Sequence, residues 1–126
     1  MIAGRFALAD RQMSAAIIAM HREPAKRWTI EGLAAAAGMS RSSFAARFRQ
    51  TVGASPMGYL TRWRMMLAAD RLANSGDAMA TLALSVGYES ESGCSTAFKR
   101  VIGCAPRRYR GRGSGAPALP IGLIGE

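Results

Sequence analysis

Two short stretches, fifty residues apart, carry the side chains best placed to do chemistry. The first holds Arg41, Ser42, Ser43, Ala46, Arg47, Arg49 and Gln50, and the second holds Ser92, Gly93, Thr96, Lys99 and Arg100. At 3.6 residues per turn, Ser42, Ser43, Ala46 and Gln50 share one side of a helix, with Arg47 and Arg49 on its flanks. Phe44, Phe48 and Val52 fall on the other side and are expected to pack inward. In the second stretch Cys94, Phe98 and Ile102 take the inward places, leaving Ser92, Gly93, Thr96, Lys99 and Arg100 outward. Small polar side chains at the start of an exposed helical face suit the edges of bases in a major groove. Cations beside them, here Arg41, Arg47, Arg49, Lys99 and Arg100, suit phosphates. The chemistry expected is recognition of a polyanion.

Bond-making chemistry finds no support. Catalysis needs clustered titratable groups, and the chain has one histidine, His21, and two cysteines, Cys94 and Cys104. The cysteines have nine residues between them and no CxxC partner, so neither a disulfide framework nor zinc spacing is present. No enzyme activity, metal or cofactor is expected, and a reduced cytoplasmic compartment fits best. Cys94 stands where the first stretch has Phe44 and reads as a small core residue. A redox-sensing thiol is the alternative.

Charge supports the polyanion. Lys and Arg outnumber Asp and Glu by 17 to 8, a formal charge of +9, and nearly all of the cations are arginine. Arginine is the side chain suited to bidentate contact with phosphate or guanine edges. On charge alone, a soluble basic protein with no nucleic-acid role also fits. Apolar residues make up 49% of the chain, enough to bury an interior, which excludes disorder throughout. No run approaches the length of a membrane span, and the N-terminus lacks the apolar core of a signal peptide.

Helices must position these side chains, and their start and stop signals are regular. Residues 7–22 read as an amphipathic helix on Met13, Ile17 and Met20, with Pro24 just beyond its end. Thr29 caps a second helix that Gly38 closes, and Ser40 caps a third running through Val52 to Gly53. Ser55-Pro56 opens a longer fourth helix reaching about Asn74. A fifth covers 78–86, a sixth runs from near Ser90 to Gly103, and a short last one begins at Ala105-Pro106. No strand pattern appears, so the fold class is all-α with about seven helices. The expected divisions are a lead-in over 1–6, an ordered part over 7–110 and a flexible Gly/Pro-rich tail over 111–126.

The chain also resembles itself. Ile30, Leu33, Ala34, Ala37, Gly38, Ser40, Ser42, Phe48, Val52, Gly53, Pro56 and Tyr59 recur as Met79, Leu82, Ala83, Val86, Gly87, Ser90, Ser92, Phe98, Ile102, Gly103, Pro106 and Tyr109. The offset is 49 up to the glycine and 50 after it, so the second turn is one residue longer. Each copy has a short Ala-rich helix, a turn through Gly, and a helix with a charged outer face, which are the parts of a helix-turn-helix. Ala34 and Ala83 let the paired helices approach closely. The first unit spans 7–55, the second 77–110, and the helix over 56–74 joins them. In that helix Leu60, Trp63 and Leu67 lie together while Met65, Ala68 and Leu72 lie elsewhere, so it is expected to pack on several sides. A duplicated helical module that binds a protein is the structural alternative.

The segments WTIEGLAAAAGMSRSSFAARFRQTVGASPMGYLTRWRMMLAADRL and VGYESESGCSTAFKRVIGCAPRRYR resemble the DNA-binding domain of AraC/XylS-type bacterial transcription regulators. The resemblance covers roughly residues 8–110. It implies seven helices, recognition helices (the third and sixth) in successive major grooves of double-stranded DNA, and promoter control, by activation or repression, through contact with RNA polymerase. Two departures bear on specificity. The family usually has a long polar side chain at the place of Ala46, and often Arg at that of Thr96. Short residues there remove bidentate base contacts worth roughly 1–3 kcal/mol each. The resemblance also implies a separate sensor domain, for which there is no room ahead of the first helix. The chain therefore reads as a fragment or as a small stand-alone regulator, a monomer on DNA. A truncated copy that binds weakly and competes with full-length relatives is the further alternative.

Overall fold

Side-chain caps and left-handed glycines divide the chain where the residue types dictate. The computed structural model describes residues 2–111, with side chains from Arg11 onward. Those residues form α1 (Ile2–Arg22), α2 (Ile30–Ala37), α3 (Arg41–Val52), α4 (Pro56–Asn74), α5 (Met79–Ser85), α6 (Glu91–Ile102) and α7 (Pro106–Gly111), with no strand among them. The all-α fold class is as read from the sequence. Some boundaries differ, α5 being one residue shorter at each end than 78–86. The first helix begins at Ile2 rather than Ala7, because only Gly4 weakens helix propensity ahead of Ala7 and no capping residue stands there. Gly111, assigned above to the tail, ends α7. The remaining tail residues, 112–126, lie outside the described residues.

Both helix-turn-helix corners are built alike. Gly38 and Gly87 have φ of +70° and +94°, a region that L side chains rarely adopt. The next N–H reaches back to a small buried alanine, Met39 to the Ala34 carbonyl and Tyr88 to the Ala83 carbonyl, each at 2.9 Å. This satisfies the last carbonyls of α2 and α5 and turns the chain toward α3 and α6. Ser40 and Ser90 then accept from Ser43 N–H at 3.4 Å and Gly93 N–H at 3.0 Å, starting α3 and α6. The units differ at the start of their first helix. Thr29 Oγ1 accepts from Gly32 N–H at 2.9 Å, whereas Ala78, at the matching place, offers no side-chain cap.

The core is two clusters threaded by one helix. Met20, Leu33, Phe44, Phe48, Tyr59 and Leu60 are among the buried residues of the first, and Met65, Leu72, Leu82, Cys94, Phe98 and Tyr109 among those of the second. Helix α4 serves both by position along its axis: Tyr59 and Leu60 belong to the first cluster, and Met65, Ala68, Ala69 and Leu72 to the second. Leu67 thus packs against the second cluster, not with Leu60 in the first as its place on the helical wheel suggests. A helix 19 residues long passes from one unit to the next within its own length, and angular position cannot reveal that. Phe48 meets Tyr59 edge-on with centroids 5.8 Å apart, and Phe98 meets Tyr109 the same way at 5.5 Å. Phe44 adds a third ring, 5.6 Å from Phe48, where the second unit has fully buried Cys94.

Candidate nucleic-acid interface

The outward faces of α3 and α6 place most of the expected contact residues in solvent. Arg41, Ser42, Ser43, Ala46, Arg49 and Gln50 are exposed on α3, and Ser92, Thr96, Lys99 and Arg100 on α6. Arg47 is half-buried on the flank of α3. Gly93 is half-buried as well. Its N–H is held by Ser90, and a Cβ there would lie 3.1 Å from the Ser90 hydroxyl oxygen, so the position serves the cap first.

Charge separates the cations further. Arg41 forms an ion pair with Glu31 of α2 at 3.0 Å, which already occupies its guanidinium. No carboxylate among the described residues pairs with Arg47, Arg49, Lys99 or Arg100. Cations held on a helical face without acidic partners retain their full attraction for phosphate. Glu91, in the first turn of α6, is the acidic group on the second face.

Other arginines are built into the frame. Arg64, in the middle of α4, donates from Nε to the Pro24 carbonyl and from Nη2 to the Lys26 carbonyl, both at 2.8 Å. Its guanidinium also lies 5.9 Å from the centre of the Tyr88 ring. Burial pushes the Arg64 pKa down, opposed by the nearby Tyr88 phenol. The Tyr88 phenol is pushed up by burial, opposed chiefly by Arg64. In the second unit Arg110 of α7 reaches the Leu72, Ser75 and Asp77 carbonyls at 3.3, 3.5 and 2.9 Å, closing the end of α4. Sequence reasoning missed Arg64, although a signal was present. Leu60, Arg64 and Ala68 stand four residues apart, so the charge interrupts a buried stripe.

His21 belongs to this frame as well. Its Nε2 lies 2.9 Å from the Tyr59 hydroxyl and its ring stacks on Trp63 with centroids 3.9 Å apart. Burial lowers its pKa and raises that of Tyr59. Cys94 is fully buried, with its thiol pKa pushed up by that burial, which suits packing and not nucleophilic reactivity.

The arrangement has known counterparts. The family profile described as "Helix-turn-helix domain" matches residues 33–112. A putative AraC-like transcription regulator of Streptomyces lividans is 52% identical over 103 residues, covering 82% of this chain and 34% of that protein. The chain belongs to the AraC-type family of DNA-binding regulators. Another relative, the RCS-specific HTH-type transcriptional activator RclR of Escherichia coli, is 42% identical over 80% of this chain and 36% of its own. The chain thus spans about a third of the length of these relatives. Among solved structures, the DNA-binding domain of AdpA, a global transcriptional factor in complex with a target DNA, superposes with a TM-score of 0.76. It is 28% identical, over 79% of this chain and 90% of that one. No helix of the described residues is long and apolar enough to cross a membrane.

Proposed function

We propose that this chain regulates transcription by reading double-stranded DNA with α3 and α6, seated in successive major grooves on one face of the duplex. The observation that carries the reading is the duplication itself. Two serine-capped helices present small polar side chains outward, flanked by cations with no acidic partner, in a chain of a DNA-binding family. The 19 residues of α4 span about 28 Å at 1.5 Å per residue, close to the roughly 34 Å between successive major-groove turns. The structural likeness to a domain solved with its target DNA supports the same docking.

Ser42, Ser43, Gln50, Ser92 and Thr96 are the base-facing group in this reading, with Ala46 and Gly93 as close-approach positions. Arg47, Arg49, Lys99 and Arg100 hold phosphates, and Arg41 does so once released from Glu31. Ala46 and Thr96 are short and exposed, so discrimination between sequences is modest and phosphate contacts carry much of the affinity. The protein acts in the cytoplasm as a monomer on DNA, contacts RNA polymerase to activate, and performs no catalytic step. Selection from a randomised duplex library with sequencing of the bound fraction tests the reading. Recovery of a motif with two halves about one helical turn apart supports it. Binding without a motif would favour a weak competitor of full-length relatives.

A further inference from the structure

We propose that Arg64 is the positioning residue that holds the two recognition helices in fixed register, so that both enter one duplex face together. This rests on the two-headed reading above. The connection after α1 and the corner between α5 and α6 belong to different units, and Arg64 touches both. Its forked donors hold the Pro24 and Lys26 carbonyls of the first unit, while its guanidinium lies against Gly87 and the Tyr88 ring of the second. Gly87 is what admits it, since a Cβ there would stand 2.9 Å from the Arg64 Cζ and Nε. Around it, Trp28 anchors the first connection by donating to the Glu23 carbonyl at 2.9 Å, and Lys26 covers the Trp28 ring at 4.3 Å. Arg27 and Glu89 then join the same two segments as an exposed ion pair. Glu89 is the residue by which the second corner exceeds the first, so the extra length of that corner supplies one side of the junction.

The two cores are otherwise separate clusters that share only α4, so a junction at Arg64 controls relative placement more than the folding of either unit. Binding two half-sites at once depends on that placement, and binding one half-site does not. The test titrates the full chain by fluorescence anisotropy with two duplexes, the selected bipartite site and the same site with one half scrambled. For Arg64→Ala we expect a loss of about tenfold or more on the bipartite duplex and a change within about twofold on the single half-site. Arg64→Lys keeps the stem and charge but loses the fork, and falls between wild type and Arg64→Ala. Arg64→Lys also decides the matter should Arg64→Ala lack native helicity, since it leaves the left-handed Gly87 corner (φ +94°) untouched. Equal losses on both duplexes, or none on either, would overturn the assignment. Wild-type protein that binds both duplexes equally would instead overturn the two-headed reading on which it rests.

Discussion

Arg47 lies on the flank of α3 and Arg100 on the exposed face of α6, neither paired with a carboxylate among the described residues. Each phosphate contact releases counterions, so Arg47→Ala and Arg100→Ala should each reduce the steepness of the log affinity against log salt plot by about 0.9. An unchanged slope in both would place the DNA on another face. His21 gives a prediction of a different kind. Its pKa in the folded protein lies below the ordinary 6.5 because of burial, so the unfolded chain takes up the proton first. The stability this group contributes is complete above about pH 6.5 and declines as pH falls below it toward the folded value. Thermal melts from about pH 7.5 to about pH 5.5 should therefore show a larger fall for wild type than for His21→Gln. Parallel curves would mean that the ring is not sequestered. These roles differ in how visible they are in the sequence. The exposed faces of α3 and α6 follow from helical period alone. The stacking of His21 on Trp63, and the reach of Arg64 to Pro24 and Lys26, join residues about 40 apart and emerge only from packing.

The helices themselves were legible because their ends are written in local chemistry. Ser40, Ser55 and Ser90 each accept from the N–H three residues on, and Gly38, Gly53 and Gly103 take up the left-handed conformation after their helices. Only the start of α1, which lacks such a signal, fell five residues away from expectation. The division of α4 between two cores was not legible, since Leu60 and Leu67 share a side of the wheel but meet different clusters. The missing cap on α5 is the weak element of the repeat. Ala78 already has the extended backbone of a cap, with φ −63° and ψ 149°, and is exposed. Ala78→Ser should therefore stabilise the protein by about 0.5–1 kcal/mol without altering DNA affinity, read from denaturant melts and a binding titration. A destabilised variant would show that this end of the helix is held by something other than the cap.

The whole molecule is a repeat that has become asymmetric. The first unit packs three rings, Phe44, Phe48 and Tyr59, where the second packs two and a cysteine, and it has a threonine cap that the second lacks. The second unit is tied instead by Arg110 to the end of α4 and by Tyr88 and Glu89 to the first. In the proposed reading, one chain thereby holds two DNA-reading helices that separate helix-turn-helix units would need a dimer to provide. The measurement that tests this most directly compares the selected site with one carrying about five extra base pairs between its halves, which turns one half to the opposite face of the duplex. If α3 and α6 are held on one face, affinity for the extended site should fall to that of a single half-site. Equal affinity for the two duplexes would contradict it, because recognition would then not require both helices at once.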